Sequence, residues 1–267
     1  MDAKAINPER DDNACRAVTC NDCGVYSLCA PFGVDEDVNA VLEGIIKRRA
    51  TFRRGEVIFA MGQPFVSVYA IKSGSVKTFV STDDGRIQVT GFHVAGELLG
   101  LNSMSSGIHT SEARALETTN VCEVDIDRLD ELARRTPSLQ RALIRIMSGE
   151  IEHHQELMLL LGKKTAEERV ATYLLSLSRR FAKRNFSPTQ FQLSMSRGDI
   201  GNYLGIAEET VCRIFTRFED EGLVTIRHRH VQLNEMDALN RIAHDHHAHL
   251  RRLAESGSGE ALRAVAS

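Results

Sequence analysis

Apolar residues recur along this chain with two different periods. From about Glu56 to Ile126 they come in short runs, "EVIFA", "SVYAI", "GSVKTFVS" and "RIQVTGFHV", rich in Val, Ile, Phe and Thr. Runs of that length and composition predict strands, and "TDDG" before Arg86 predicts a hairpin turn. Short strands in succession predict an antiparallel barrel or sandwich. From near Ser138 the period lengthens. Ile144, Met147, Ile151, His154, Met158 and Leu161 follow one another at spacings of three and four, the seam of a coiled coil. A helix lying on its own barrel needs only one such stripe. Leu143, Leu157, Leu159 and Leu160 widen the apolar surface beyond it, and a helix apolar on two sides serves both its own domain and a partner chain. The pattern predicts a homodimer. In a parallel pairing His154 would lie close to its own copy, where two imidazolium ions repel, so association is expected to weaken as pH falls.

A second helical period follows. Gly162 reads as the end of the long helix, and Thr165 with Glu168 as a capping box opening the next. Beyond it lies "SMSRGDIGNYLGIAEETVCRIFTRFEDEGLVTIRHRHVQL". Ser196 and Asp199 can cap a short helix with Ile200 and Leu204 facing inward, and Gly205 supplies a tight turn. A second helix is predicted from about Glu208 to Glu221, stopped by Gly222. Val211, Ile214, Phe215 and Phe218 fall at i, i+3, i+4 and i+7 and form its buried face. Its other stripe is Glu209, Cys212, Arg213 and Thr216. Helix, Gly turn and helix with a polar stripe is the helix-turn-helix pattern, and "LVTIRHRHVQL" adds a basic-tipped hairpin, a wing. A plain helical pair with a solvated charged face is the alternative. The stripe's chemistry favours the first reading. Arg grips guanine O6 and N7 bidentately and Glu accepts from cytosine N4, so Glu209, Cys212 and Arg213 can read major-groove base edges. Arg179, Arg180, Lys183, Arg184 and Arg217 are candidates for phosphate contacts.

Composition narrows the setting. The 267 residues carry a net charge of only -3, so nucleic-acid contact must come from a local basic face. "MDAKAINPERDD" has no positive start leading into an apolar core, and no apolar run approaches the ~20 residues a bilayer requires. The expectation is a cytoplasmic protein without membrane contact. No Ser-His-Asp constellation, P-loop or dinucleotide fingerprint appears, which argues against an enzyme.

The thiols pose a separate question. "CRAVTCNDCGVYSLC" holds Cys15, Cys20, Cys23 and Cys29, with Cys122 and Cys212 far downstream. By spacing alone, Cys15-x4-Cys20-x2-Cys23 with a later Cys fits a ferredoxin-type 2Fe–2S centre, and the Cys20-x2-Cys23 hook fits zinc. Cys122, in "NVCEVDI", would share a strand face with Val124 and Ile126 and serve equally as a buried apolar thiol. Spacing leaves these alternatives open. An iron–sulfur electron carrier would account for the cysteines and leave the reading helix, wing and seam without purpose.

The cysteine cluster, "SGSVKT", "TGFHVAGELLG", "MSGEI", "AEER" and "RGDIGNYLGIAEETVCRIF" together resemble the FNR branch of the CRP/FNR transcription regulators, over roughly residues 15–240. The resemblance implies an α+β fold with an N-terminal antiparallel β-roll of the cyclic-nucleotide-binding type, a long dimerisation helix and a C-terminal winged helix-turn-helix. The domains would then be a cysteine-rich cluster-binding segment at 1–30, the β-roll sensor at 31–137, the dimerisation helix at 138–162, the DNA-binding domain at 163–240 and a His-rich tail at 241–267. It implies a 4Fe–4S cluster, one per subunit, on Cys20, Cys23, Cys29 and Cys122, with Cys15 outside the pattern. It further implies a homodimer that binds an inverted repeat of TTGAT-like half-sites without oxygen and loses binding when oxygen converts the cluster to a 2Fe–2S form. By the same resemblance RNA polymerase would be met by the loop around Asp83–Gly85 and the surface near Ser73 and Thr118.

Three departures stand out. The Arg-Ser pair that holds a cyclic phosphate in the CRP branch is missing, since the stretch reads "HTSEARA" with Thr110 and Ser111 where a cation is needed. A cyclic-nucleotide-type regulator with a structural metal site is therefore the weaker alternative. The family's reading motif Glu-x-x-Ser-Arg is "ETVCR" here, with Cys212 in place of serine. The tail adds His244, His246, His247 and His249, which could capture a metal, although a solvated tail is the simpler reading.

Overall fold

The computed structural model describes residues 46–243. Cys15, Cys20, Cys23, Cys29 and the histidines of the tail lie outside the described residues. The chain divides between His153 and His154 into two compact units.

The first unit is built on eight strands: β1 (Ile46–Phe52), β2 (Val57–Phe59), β3 (Ser67–Ser73), β4 (Ser75–Ser81), β5 (Ile87–Val94), β6 (Leu98–Leu99), β7 (Glu112–Ala115) and β8 (Thr119–Asp125). They form two antiparallel four-stranded sheets, ordered β1-β8-β3-β6 and β2-β7-β4-β5. The hairpin expected at "TDDG" joins β4 to β5, closed by Thr82 N donating to Arg86 O at 2.9 Å. The turn between β3 and β4 needs a glycine: at Gly74 φ is +85°, and a Cβ there would lie 2.6 Å from Thr118 O. Ile58, Phe59, Tyr69, Ile71, Val76, Leu99, Ala113 and Val121, drawn from both sheets, make one core.

A second cluster covers the outer face of the first sheet. Val68 of β3 and Val124 of β8 pack with Leu129, Ala133, Leu139 and Ala142. These last four come from α1 (Ile126–Arg135) and the start of α2 (Pro137–Lys163). Two expectations are corrected here. Ile126 does not continue the strand of Cys122 and Val124; it opens α1, because the Asp125 carboxylate accepts from Asp127 N at 3.1 Å and Arg128 N at 3.2 Å and caps the helix. Gly162 does not end α2, which runs on to Lys163; one exposed helical glycine costs only ~1 kcal/mol.

The second unit contains α3 (Ala166–Ala182), β9 (Gln190–Gln192), α4 (Arg197–Leu204), α5 (Glu208–Asp220), β10 (Val224–Arg227), β11 (His230–Leu233) and α6 (Met236–Ala243). The capping box of Thr165 and Glu168 starts α3 as expected. The wing has a third strand that the sequence pattern did not disclose, β9 pairing with β11. Val170, Leu174, Ile200, Leu204, Val211, Phe218 and Leu239 are buried at its centre.

Among the ionisable groups inside the first unit, His109 is 2% exposed. Its ring stacks on Phe59 with centroids 3.9 Å apart, and its Nδ1 lies 3.3 Å from the hydroxyl of Ser103. Burial lowers its pKa from the ordinary 6.5. A depressed histidine pKa means that the unfolded chain takes up the proton first. Stability is therefore complete above pH 6.5 and falls as pH drops from there toward the folded-state pKa, by at most ~1.4 kcal/mol per pH unit for one proton. Urea unfolding at pH 7.5 and 5.5 is expected to show this loss, and His109→Phe should reduce it. An unchanged pH dependence in that variant would remove His109 as its source.

Candidate nucleic-acid interface

The pair α4–α5 is set by local bonds. Asp199 N donates to the Ser196 hydroxyl at 3.0 Å, and Ser196 N donates to the Asp199 carboxylate at 3.2 Å, so the expected capping box opens α4. Gly205 closes it in the left-handed region at φ 64°. The corner is tight at Gly201 as well, where a Cβ would meet the Ile206 carbonyl oxygen at 2.7 Å. Helix α5 then presents two faces. Val211, Ile214, Phe215 and Phe218 are buried, while Glu209, Cys212, Arg213 and Thr216 are exposed. Glu208 and Glu209 occupy its first turn, where negative charge suits the helix dipole.

The wing is tied to this helix. Ile226 N donates to the Glu219 carboxylate at 2.9 Å, and Asn234 Nδ2 donates to Gly222 O at 3.1 Å and Thr225 Oγ1 at 3.0 Å. Its tip carries Arg227, His228, Arg229 and His230, with His228 in the left-handed region at φ 57°. Among the expected phosphate cations, Arg217 pairs with Glu167 and, at 3.8 Å, with Glu221, and Arg184 Nη1 donates to Arg180 O at 2.7 Å, near the end of α3. A cation the sequence pattern did not single out is Arg197, whose guanidinium lies over the Phe215 ring at 3.9 Å from the centroid. Burial lowers its pKa, and the group remains charged at any physiological pH.

Along α2 the expected stripe is open to solvent. Ile144 is 58% exposed, Ile151 61% and Met158 73%, and Met147, His154 and Leu161 are exposed as well. Leu139 and Ala142, on the other side, are buried, and Leu143 is half-buried against the same cluster. Of the leucines expected to widen the apolar surface, Leu160 is buried and Leu143 and Leu157 are half-buried, while Leu159 lies in solvent.

Of the expected thiol ligands, Cys122 alone falls among the described residues; Cys20, Cys23 and Cys29 do not. Cys122 sits on β8, the strand paired on both sides, opposite Arg49 of β1 and Ala70 of β3. Its neighbour Val121 belongs to the core between the sheets, so the thiol is on the outer side of the sheet, with Val124. It is buried. A buried thiol between Ala70 and Arg49 suits a soft-metal ligand and a packed apolar thiol alike.

In the stretch from His109, Thr110 is exposed, Ser111 is buried, and Arg114 pairs with Glu112 at 2.5 Å. Its cation is thus already engaged. No helix among the described residues is long and apolar enough to cross a membrane.

Two protein families match the chain: a cyclic nucleotide-binding domain over residues 49–136 and a Crp-like helix-turn-helix domain over residues 168–242. The fumarate and nitrate reduction regulatory protein of Escherichia coli K12 is 44% identical over 227 residues, 85% of this chain and 91% of that protein. The fumarate nitrate reduction regulatory protein of Klebsiella oxytoca is 43% identical over the same shares. Among solved structures, FixK2 from Bradyrhizobium japonicum superposes with a TM-score of 0.66 at 35% identity, over 73% of this chain and 96% of that one.

Two glycines of α4 separate a fixed contact from a yielding one. Gly201→Ala sets a methyl against a backbone carbonyl and should cost ~1–3 kcal/mol. Gly198→Ala meets closely the Glu208 carboxylate, at 2.9 Å, at the end of an exposed flexible side chain, and the Ser196 hydroxyl at an ordinary 3.8 Å. It should be neutral or stabilising by up to ~1 kcal/mol. Thermal unfolding of both variants checks the order, and equal effects would show that the corner is not tight.

Proposed function

Because this chain belongs to the CRP/FNR family of DNA-binding transcription regulators, we propose that it controls transcription in response to oxygen, as a homodimer carrying one 4Fe–4S cluster per subunit. It is a regulator and not an enzyme. Cys20, Cys23, Cys29 and Cys122 would hold the cluster, with Cys15 outside the set. When bound, the cluster would supply four iron–thiolate links and the sensitivity to oxygen. The chain's own part is structural. Cys122 offers one anchor on a strand paired on both sides, to which Cys20, Cys23 and Cys29 would be joined only while all four thiolates hold. Ligation energy is then available to the DNA-binding form and is withdrawn when the links fail. The observation that supports this most directly is the seat of Cys122, buried and on the outer side of β8.

In this reading residues 1–30 carry three ligands, the roll of 31–137 the fourth, 138–162 the dimer contact and 163–240 the DNA contact. Ile144, Met147, Ile151, His154, Met158 and Leu161 would meet their copies across a twofold axis. Glu209, Cys212 and Arg213 would read base edges of TTGAT-like half-sites arranged as an inverted repeat. The loop Asp83–Gly85 with Ser73 and Thr118 would face RNA polymerase. The setting is the cytoplasm.

Protein purified without oxygen is expected to hold about four irons per chain. Serine at Cys20, Cys23, Cys29 or Cys122 should abolish this, and serine at Cys15 should not. Air should lower both the iron–sulfur absorbance and the dimer fraction in sedimentation. Zinc with no iron in the anaerobic protein would overturn the oxygen reading.

The DNA contact has its own test. Arg213→Ala should cost roughly 1–3 kcal/mol and relax the choice at one guanine, while Glu209→Ala relaxes it at a neighbouring G·C pair. Cys212→Ser should alter the preferred outer bases of the half-site with little change in salt slope, because a hydroxyl is the stronger hydrogen-bonding group. Uniform weakening on all sequences would assign these side chains to phosphate alone.

A further inference from the structure

Arg169, in the first turn of α3, spends its guanidinium on backbone carbonyls. Its Nε donates to Lys164 O at 2.9 Å and its Nη2 to Leu161 O at 2.9 Å. Its Nη1 donates to Leu204 O at 2.8 Å and, more weakly, to Gly205 O at 3.4 Å. Two helix ends meet on this one side chain. Leu161 lies in the last turn of α2, Leu204 ends α4, and Gly205 is the turn between α4 and α5. The last carbonyls of a helix have no partner within it, and positive charge is favoured there by the helix dipole. A planar fork of five N–H donors satisfies both ends at once, which a single ammonium cannot do.

Leu161 is held a second way. A Cβ on Gly205 would lie 3.4 Å from Leu161 Cδ2 and 3.3 Å from Arg169 Nη1. The side chain of the last apolar residue of the α2 stripe thus lies close by the helix-turn-helix corner, and its carbonyl is linked to that corner through Arg169. Beside it Lys164 Nζ donates to Thr172 Oγ1 and to Ala243 O, both at 2.8 Å, which ties the end of α6 to the same junction.

We propose that Arg169 is the positioning residue that carries the placement of the dimer axis into the reading helix, by making the last turn of α2 and the α4–α5 corner one rigid piece. This rests on the reading of α2 as the dimer contact. Two reading helices can meet two half-sites at one spacing only if each is fixed relative to the axis. Without the fork, each DNA-binding domain would still fold and still read a half-site, while the distance and twist between the two would no longer be fixed.

The experiment uses the full-length protein, purified without oxygen and loaded with its cluster. DNA carries either one TTGAT-like half-site or an inverted repeat with spacers varied one base pair at a time, each step rotating the second site by about a tenth of a turn. The wild type should bind one spacer far more tightly than its neighbours. Arg169→Met and Arg169→Lys should keep the dimer constant within about twofold and the single half-site affinity within about threefold, and should lower the spacer preference about tenfold or more. Arg169→Lys keeps the charge and is expected not to rescue; it also serves if Arg169→Met fails to fold, which thermal unfolding reveals. A spacer preference unchanged in a dimeric variant, or equal losses on every DNA, would overturn the proposal and leave Arg169 a purely stabilising residue. No spacer preference in the wild type would overturn the dimer reading as well, so the two failures are distinguishable.

Discussion

A helix can keep a second apolar face only if something other than its own domain covers it. That constraint governs α2. One side, with Leu139 and Ala142, is consumed by α1 and the sheet, while Ile144, Ile151 and Met158 remain mostly in water. Fully burying an aliphatic side chain is worth ~1.5–3 kcal/mol relative to exposure. The exposed stripe, which is already partly covered, therefore offers on the order of 10 kcal/mol to a symmetric pair. Association costs ~4–15 kcal/mol before any contact is made. In the proposed dimer, terms of equal size and opposite sign would leave an association that a few kcal/mol can make or break, the regime a switch requires.

The second unit works under the opposite demand, rigidity. Its corner is fixed by Gly205 in the left-handed region, by the close approach at Gly201 and by the carbonyl-directed fork of Arg169. Helix α5 gives its whole apolar stripe, Val211, Ile214, Phe215 and Phe218, to the core. What stays outside is polar by construction, so the side chains that face solvent are also those with chemistry to offer DNA. The Arg197 guanidinium, laid over Phe215, extends that polar face while packing on the buried one.

Much of this was legible in the chain because it depends on local pattern. The α5 stripe, the capping boxes at Thr165 and Ser196 and the β4–β5 turn each involve residues within a few positions of one another. What was not legible depends on distant partners. Strand β9 is only Gln190–Gln192 and exists because β11, some forty residues on, offers it an edge. Ile126 continues the apolar alternation of β8, and only the Asp125 cap reveals that a helix begins there. Arg217 belongs to the basic stretch by sequence, yet it pairs with Glu167. Arg169 gives no signal in the pattern, since its partners are carbonyls, which every residue has. The cysteine spacing admitted several centres, and the choice of Cys20, Cys23, Cys29 and Cys122 came from the family resemblance alone.

For a regulator that senses oxygen as proposed, these two regimes set how much the signal has to supply. Moving a two-state equilibrium from 1:99 to 99:1 takes about 5.5 kcal/mol of differential stabilisation. On the proposed cluster reading, ligation would supply it: structural zinc sites release ~10–16 kcal/mol on binding. Cys122 would bring to such a site a position already fixed on a strand paired at both edges. The ligation energy would then need only to tip a seam whose gain and cost nearly cancel. A stiffer, fully buried seam would hold the dimer with or without the cluster, and a polar one would never form it. The exposed stripe on α2, with Ile144, Ile151 and Met158 mostly in water, lies between those limits.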